Sequence, residues 1–361
     1  MAKKDSQKNF SLGIKVLGLG GSGSNIVSRM YRSRLKGIEF FALNTDLQAL
    51  RQINGPRKIQ IGKNVTQGLG SGMDPELGKK AAEESKKEIE EVLKGAEMVF
   101  ITGGLGGGTC SGASPVVAEI SKNLNILTVA IVTTPFSFEG KLRREIAENA
   151  LSELKNKVDT LITISNDRLL SIVNKETSLI QAFSLCDNVL KDAITGISEI
   201  VISPGLVNVD FADIKTIMKD SGIALMGIGL GQGEERAIKA AKEAIENPLL
   251  DFSLAGAKGI VFCLRGGKNM SLYEVNEAAR IITQNASEGA KIIFGAIIDE
   301  NLKEEIKITV IASGFTKEKE EKKEFVPLSS FKEISKELEK EKSKEEAELE
   351  IPAFLRKKIK Y

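Results

Sequence analysis

Histidine and tryptophan are both absent from the 361 residues of this chain. The absence of histidine excludes Ser–His and Cys–His nucleophile pairs, histidine metal sites and a histidine general base. Any chemistry must therefore rest on carboxylates, lysine, arginine, amide groups or a bound metal ion. Cysteine is scarce, because Cys110, Cys186 and Cys263 are the only three and show no metal-binding spacing. This pattern is typical of a protein in a reducing cytosol.

A strong net charge and a long apolar run are lacking as well. The formal net charge is +2, which does not indicate a general nucleic-acid-binding protein. The longest apolar run, residues 126–132, has the length of a strand and is far too short to cross a bilayer. The first residues lack the apolar core of a signal peptide. We therefore expect a cytoplasmic protein that binds no nucleic acid and does not insert directly into a membrane.

The chain instead contains apolar runs of strand length that alternate with helical patterns. This alternation indicates a parallel sheet with right-handed crossovers, and 361 residues suffice for two domains. We predict an α/β fold with a Rossmann-like parallel-sheet domain over residues 11–177, a long central helix over 178–201 and a smaller α+β domain over 202–315. Around them we predict a disordered tail over 1–10, a charged Lys- and Glu-rich linker over 316–349 and an apolar-then-basic docking peptide over 350–361.

Several element boundaries are specific enough to be checked. Helices are expected over residues 25–35, 75–93 and 112–123, with Asp74 as the N-cap of the second. Strands are expected over 290–298 and 304–312, and their short connection predicts that they pair as a hairpin.

Three glycine-rich segments each follow an apolar run and precede a helical pattern. They lie at residues 18–25, 68–75 and 103–112. Glycine lets the backbone approach a ligand closely and turn through positive φ. The start of the following helix presents free N–H groups and the positive end of its dipole to an anion. Since ligands bind at the carboxyl ends of parallel strands, these segments predict a phosphate-binding site at one edge of the sheet.

Two nucleotide-binding alternatives use parts of the same pattern. Gly18, Gly20 and Gly23 match the GxGxxG pattern, so an NAD-dependent oxidoreductase with Asp46 on the ribose is the main rival. Against it stand the two further glycine segments, which a dinucleotide fold does not need, and the lack of a histidine base. The Walker pattern GxxxxGK[ST] does not occur, which disfavours a P-loop NTPase. A nucleoside triphosphate suits several converging anion sites better.

The segment GGLGGGTCSG, residues 103–112, resembles the signature of the tubulin/FtsZ family. Other segments match the same family in the same order: IKVLGLGGSGSN, EFFALNTD, GLGSGMDPELG, TTPFSFEGKLRR, ISNDRLL, VNVDFADIKTIM, IALMGIG and, at the end, IPAFLRKK. The match covers residues 12–315 and the last dozen residues, and leaves only the tail and the linker unmatched. The sequence is therefore similar to the FtsZ branch of the family, the bacterial tubulin homologues of cell division.

The resemblance implies a GTPase that binds GTP and GDP, with Mg²⁺ held mainly through the nucleotide phosphates. Phosphate contacts are implied for Gly20, Gly21, Ser22, Gly23, Ser24, Asn25, Asn44, Gly106, Gly107, Gly108, Thr109 and Cys110, and γ-phosphate sensing for Gly70, Ser71 and Gly72. Glu139 and Arg143 would meet the ribose and phosphate side, Asn166 the sugar, Phe183 the face of guanine and Asp187 its edge. A carboxylate that faces two adjacent donors selects guanine over adenine, which makes the last pairing chemically sensible.

The family also implies head-to-tail assembly into protofilaments, in which one subunit completes the hydrolytic site of the next. The residues implied are Asn208, Asp210 and Asp213, which can orient and polarise a water or a hydrated cation. Their spacing has a purely structural alternative, because Asp210 could be the N-cap of the helix that follows. A scaffold that binds GTP but scarcely hydrolyses it is a further alternative.

In the family, such filaments form the division ring at mid-cell, and the C-terminal peptide binds membrane adaptors of the FtsA type. Here Ile351, Phe354, Leu355 and Arg356 would carry that contact, with Glu350 where the family commonly has Asp. Cys110 departs from the glycine usual in the signature. We expect it in the first helical turn with ordinary dihedrals, with a lowered pKa and ready alkylation that GTP prevents. Ser22 and Ser24 also replace glycines.

Overall fold

A computed structural model of the chain describes residues 12–33, 35, 37–169, 176–202, 205–207, 209–246, 256–284 and 286–315. The predicted tail, charged linker and docking peptide, with Ile351, Phe354, Leu355 and Arg356, lie outside the described residues, as does Asn208. Within the described ranges, no helix is both long enough and apolar enough to cross a membrane.

Six parallel strands form the first part of the sheet, in the spatial order β3-β2-β1-β4-β5-β6. They are β1 Ile14–Leu19, β2 Ile38–Asn44, β3 Arg57–Gln60, β4 Met98–Gly104, β5 Leu127–Thr134 and β6 Thr160–Ser165. The helices between them are α1 Gly20–Arg32, α2 Leu47–Gln52, α3 Lys63–Thr66, α4 Pro75–Glu84, α5 Lys86–Leu93, α6 Gly108–Asn123 and α7 Lys141–Lys155.

Both faces of this sheet are buried, which explains its uninterrupted apolar strands. Val16 of β1 belongs to the apolar core on one face, and its neighbour Leu17 belongs to the core on the other. Phe100 and Ile101 of β4 divide in the same way. The predicted Rossmann-like arrangement, with helices on both sides of a parallel sheet, is confirmed.

The second part of the fold begins with two helices after β6, which are α8 Asn166–Leu169 and the central helix α9 Leu179–Ile202. It continues with α10 Phe211–Met218, β7 Gly222–Gln232, α11 Arg236–Ile245, β8 Gly259–Gly266, α12 Leu272–Thr283, β9 Lys291–Ile298 and β10 Glu305–Ser313. Strand β7 joins the sheet through only two residue pairs with β6, at its first two residues. Farther along, β7 pairs with β10 instead, and the order ends β7-β10-β8-β9.

The predicted hairpin of the last two strands is wrong. Strand β9 pairs in parallel with β8, whereas β10 lies between β7 and β8 and is antiparallel to both. The connection over residues 299–304 is long enough to pass the end of β8. Central placement buries β10 on both faces, since Val310 and Ile311 belong to different cores. Sequence adjacency favoured the hairpin, and burial of both faces of β10 outweighs it.

Two helices begin earlier than predicted, and one predicted helix is divided. Helix α1 begins at Gly20 rather than near residue 25, and α6 begins at Gly108 rather than at 112. The helix predicted over 75–93 ends at Glu84, and a new one starts after Ser85. Asp74 is the N-cap as predicted, because its carboxylate accepts from the N–H groups of Glu76 at 2.9 Å and Leu77 at 3.3 Å.

Candidate functional site

Four segments meet at the carboxyl ends of β1, β2 and β4, and we call them the cradle. They are residues 20–25, 44–46, 70–72 and 106–110. A Cβ atom placed on Gly20 would lie only 3.4 Å from the Cys110 nitrogen, so the starts of α1 and α6 are in contact. The opposite side of the cradle is open, because a Cβ on Gly21, Gly72 or Gly107 would meet no atom within 4 Å. The three predicted glycine segments thus surround one open space.

Three buried hydroxyl groups link the cradle segments, and we call them the hydroxyl triad. Thr109 at the start of α6 lies between Thr45, with an Oγ1–Oγ1 distance of 2.7 Å, and Ser71, with an Oγ–Oγ1 distance of 2.8 Å. Each side chain is less than 9% exposed. Because each hydroxyl can both donate and accept, the triad holds three separate loops in register beside the open space.

Close contact between α4 and α6 explains why the 70–72 segment reaches the cradle. A Cβ on Gly78 would lie 2.2 Å from the Gly108 oxygen, and one on Gly112 would lie 1.9 Å from the Pro75 oxygen. Glycine at both positions therefore lets the two backbones touch. The loop that enters α4 therefore lies against the start of α6, where Ser71 contacts Thr109.

The first turns of α1 present both exposed and buried polar groups. Ser22 and Asn25 are exposed, whereas Gly23 and Ser24 are buried. The Ser24 hydroxyl has no hydrogen-bond partner among the described residues. Such a group is uncommon in folded proteins, and a ligand or water commonly satisfies it. Asn44 is buried at the end of β2, where its Oδ1 atom accepts from the Asp46 N–H at 3.3 Å.

A second group of predicted residues lies where β5 and β6 end. Arg143 Nη1 contacts Glu139 Oε2 at 2.6 Å, and Glu139 Oε1 also accepts from the Phe136 N–H at 2.9 Å. Asn166 is buried, and its Oδ1 atom lacks a partner among the residues that the structure describes. Phe183 on α9 is 42% exposed and packs edge-to-face on Phe136, with 5.6 Å between the ring centroids. This second group therefore contains a partly exposed aromatic ring and a partnerless amide oxygen.

Asp187, one turn after Phe183 on α9, is paired with a residue that the sequence reasoning missed. Its Oδ2 atom lies 2.9 Å from Arg29 Nη1 on α1. Burial raises the pKa of Asp187 to about 6, and the charge of Arg29 partly opposes that rise. The positions Ser22, Asn25 and Arg29 recur at helical spacing on the exposed side of α1. That signal was hidden because the helix was expected to begin only at Asn25.

Asp210 and Asp213 lie far from the cradle. Asp210 occupies the N-cap position of α10, as the structural alternative predicts, but its side chain makes no cap hydrogen bond. Both residues are exposed. Just before them, Val207 forms a bridge with Ala296 of β9, at the edge of the sheet. Five strands, β5, β6, β7, β10 and β8, separate β9 from β4 at the cradle.

The expected reactivity of Cys110 is wrong. It lies in the first turn of α6 with a negative φ, as predicted, but it is only 4% exposed. Burial raises the pKa of its thiol to about 12 instead of lowering it. The helix N-terminus favours a thiolate, but removing the thiolate from water costs more than the dipole returns. Gly103 is packed against the sulfur, since its Cβ would lie 2.6 Å from Sγ.

Asp46, the ribose-binding acid of the rival NAD hypothesis, has a structural role. It is the N-cap of α2, and its Oδ1 atom accepts from the Ala49 N–H at 2.9 Å. The cap accounts for this carboxylate without a ribose. Thr45 was missed as a site residue, although it directly follows the end of β2 and lies between two residues that the sequence analysis named, Asn44 and Asp46.

No group of three or more Cys, Asp and Glu side chains in the described part of the chain is arranged to hold a metal ion. The Mg²⁺ that the resemblance implies, held mainly through the nucleotide phosphates, remains an expectation. Neutral oxygens at the cradle, such as the hydroxyl triad, are suited to its hydrated shell.

Two family models cover most of the described chain. The tubulin/FtsZ family GTPase domain matches residues 13–174, and the FtsZ family C-terminal domain matches residues 222–316. An empty FtsZ dimer from M. jannaschii is 42% identical, with a TM-score of 0.81 over 85% of this chain and 89% of that one. A point mutant of FtsZ from the same organism is also 42% identical, with a TM-score of 0.81 over 84% and 92%.

More distant structures share the fold. GDP-bound monomeric CetZ1 from Haloferax volcanii is 20% identical, with a TM-score of 0.74 over 85% of this chain and 95% of that one. A GTPγS-bound protofilament of CetZ2 from the same organism is 20% identical, with a TM-score of 0.71 over 85% and 94%. The family models and the FtsZ structures lead to one assignment: the chain belongs to the tubulin/FtsZ family of GTPases.

Proposed function

We propose that this protein binds GTP in the cradle and hydrolyses it only within a head-to-tail filament. Asp210 and Asp213 of one subunit then complete the site of the next subunit. One observation carries the proposal: Asp210 and Asp213 are exposed, Asp210 makes no local cap bond, and the segment just before them bridges to β9, six strands along the sheet from β4 at their own cradle. Six strand spacings of about 4.8 Å separate β9 from β4, which is about 29 Å along the sheet. Such carboxylates can act on a nucleotide only if another copy brings it to them.

The cradle is suited to the phosphates. Backbone N–H groups over residues 20–25, at the start of α1, and over residues 106–110, just before and at the start of α6, surround one open space beside Gly70 and Gly72. Asn44 and the hydroxyl triad would complete the donors around the β- and γ-phosphates. Mg²⁺, bound mainly through those phosphates, would neutralise the charge that develops during transfer. The carboxylates of Asp210 and Asp213, with Asn208 beside them, would orient the attacking water.

The sugar and base would extend toward α9. Glu139 and Arg143 would lie on the ribose and phosphate side, and Asn166 would use its partnerless oxygen on the sugar. Phe183 offers an exposed ring face for stacking. The carboxylate of Asp187 would accept from the N1–H and amino groups of guanine.

Exposed apolar side chains occur at both ends of the molecule, where a head-to-tail contact would bury them. Leu69 and Phe138, beside the cradle and Glu139, are 85% and 62% exposed. Leu206, near Asp210, is 73% exposed, and Phe294 on β9 is 42% exposed. Two different surfaces that fit one another form a heterologous contact, which extends into a filament instead of closing. Apolar patches of this kind are typical of protein interfaces.

The cellular role follows from the family. We infer that the filaments assemble in the cytoplasm into the division ring at mid-cell and that the C-terminal peptide binds an adaptor of the FtsA type. The domain limits at 11–177, 178–201 and 202–315 remain part of this proposal. The match to the C-terminal domain of the FtsZ family supports the division branch over other members with the same fold.

The test is the dependence of GTP turnover on protein concentration. Because each site needs two subunits, phosphate release per molecule should be negligible in dilute protein and rise steeply above an assembly threshold seen by light scattering. A turnover number that stays constant across the threshold would contradict the proposal. Assembly with GTP but almost no turnover would support the scaffold alternative. Binding of NADH in place of labelled GTP would support the oxidoreductase.

A further inference from the structure

Arg29 on α1 and Asp187 on α9 form an ion pair across two helices at the base end of the proposed site. The distance from Nη1 to Oδ2 is 2.9 Å, and the side chains are 43% and 14% exposed. The closest approach of the guanidinium is to Oδ2. A carboxylate has about four acceptor positions, so this ion pair leaves others for a ligand.

The charge of Asp187 is finely balanced in this environment. Burial raises its pKa to about 6, and Arg29 is the one charged group that lowers it. Two other charged residues are near it. Glu139, from the turn at 137–139, raises the pKa of the buried Cys186, as Asp187 does. Lys191 follows one turn farther along α9. Lys191 forms no ion pair with Asp187 in the described structure. Without Arg29, burial would act on Asp187 unopposed.

The protonation state of this carboxyl group decides which base it can bind. An ionised carboxylate only accepts hydrogen bonds, so it suits the two adjacent donors of guanine, N1–H and the amino group. A protonated carboxyl group accepts once and donates once. It therefore suits xanthine, which has N1–H beside a carbonyl oxygen in place of the amino group.

We propose that Arg29 is a positioning residue for base selection, which holds Asp187 ionised and oriented so that the pocket takes guanine rather than xanthine. This rests on the proposed function, in which Asp187 meets the base. Arg29 acts through the carboxylate and needs no contact with the nucleotide. Its role is electrostatic, so its loss should be corrected by raising the pH.

The experiment compares binding of fluorescent GDP and its xanthosine counterpart to dilute, unassembled full-length protein across pH 6 to 9. The variants are Arg29→Gln, Arg29→Lys and, as a matched control on the same helix, Arg32→Gln, which removes an exposed arginine. At pH 6.5 we expect Arg29→Gln to bind GDP about threefold more weakly than the wild type, because a rise of about one unit in the pKa of Asp187, from about 6, lowers its ionised fraction by about that factor. The deficit should vanish near pH 9.

Xanthosine diphosphate provides the second readout. At pH 6.5 Arg29→Gln should bind it at least as well as the wild type does, so that the preference for guanine narrows. The titration of the xanthine ring itself affects all variants equally and cancels in the comparison. Arg29→Lys, which restores a cation, should recover most of the GDP affinity, and Arg32→Gln should match the wild type.

The outcomes separate this inference from the function on which it rests. If the wild type binds neither nucleotide at any pH, the proposed function fails. If the wild type binds GDP but the Arg29→Gln deficit is the same at every pH, the residue is merely structural and the inference is overturned. An unchanged GDP affinity in Arg29→Gln at pH 6.5 would overturn it as well.

Discussion

Thr109 is the residue at which the parts of the cradle are joined. It connects Thr45 after β2 and Ser71 before α4, which are 64 and 38 residues away along the chain. Each such hydrogen bond contributes about 1 kcal/mol, and leaving a buried hydroxyl unpaired costs about as much again. The family resemblance implied Ser71 and Thr109 as site residues. The sequence could not predict Thr45, because the partner of a short hydroxyl side chain depends on which loops the fold brings together.

The cysteines lead to a prediction at this scale. All three thiols are buried, and burial raises the pKa of each to about 12. We therefore expect almost no reaction with a thiol reagent in the native protein at pH 8, with or without GTP. After denaturation, three thiols per chain should react. The measurement is the absorbance of the released thiol-reagent chromophore.

A serine variant of Cys110 controls this measurement. Native Cys110→Ser should be as unreactive as the wild type, and only two thiols should appear on denaturation. Rapid labelling of one native thiol that disappears in this variant and is slowed by GTP would instead restore the sequence-based view of Cys110.

At the scale of elements, the helix starts show where local patterns were outweighed. Glycine is the weakest helix former after proline, so α1 and α6 were expected to begin only near residue 25 and at residue 112. In the structure residues 20–24 and 108–111 already belong to these helices. Glycine is needed in them because the neighbouring backbones pack too closely to leave room for side chains. A Cβ on Gly18 would lie 2.1 Å from the Gly23 oxygen, where β1 and α1 touch. The strand and helix types could be predicted from apolar periodicity, whereas these starts depend on tertiary contact.

The contact between α4 and α6 leads to a second prediction. The added Cβ of Gly112→Ala would lie only 1.9 Å from the Pro75 oxygen, so α4 and α6 must separate. We expect a loss of about 2–3 kcal/mol in the free energy of unfolding, since overpacking between rigid backbones is costly. The separation should also pull Ser71 away from Thr109 and weaken GTP binding. Urea denaturation and nucleotide titration measure the two effects.

Gly107→Ala is the matched control for stability. Its Cβ would meet no atom within 4 Å and its φ of −96° suits any residue, so the unfolding midpoint should stay near that of the wild type. Equal midpoints for both variants would show that α4 can shift on α6 without cost.

For the whole molecule, the order of the strands matters most. The parallel half and its ligand edge could be predicted from the alternation of strands and helices. The insertion of β10 between β7 and β8 could not, because it depends on pairing among strands separated by more than 70 residues, such as β7 and β10. That insertion widens the sheet and carries the β9 edge, with Asp210 near it, farther from the cradle.

The separation of carboxylates and cradle predicts transfer of activity between subunits. Asp213→Ala loaded with γ-labelled GTP should bind it normally yet release no labelled phosphate when mixed with more of the same variant. Added to an excess of wild-type protein, the same loaded variant should release its label, because a wild-type neighbour supplies the missing carboxylate. A single-turnover assay with a large chase of unlabelled GTP prevents re-binding of the label.

The control for this experiment is a surface carboxylate elsewhere. Glu83→Gln on α4 is exposed, and turnover of this variant should be unchanged alone or in mixtures. If Asp213→Ala keeps its label even among wild-type neighbours, Asp213 acts within its own subunit. Failure of this variant to bind GTP at all would place Asp213 in its own pocket.

The distance between each cradle and its own carboxylates also makes the two ends of a filament unequal. In a filament built as proposed, the subunit at one end has a cradle that no neighbour covers. That subunit can bind and exchange GTP but cannot hydrolyse it, however fast the interior turns over. The subunit at that end would therefore always carry intact GTP, and GDP would accumulate only in the interior as a filament ages.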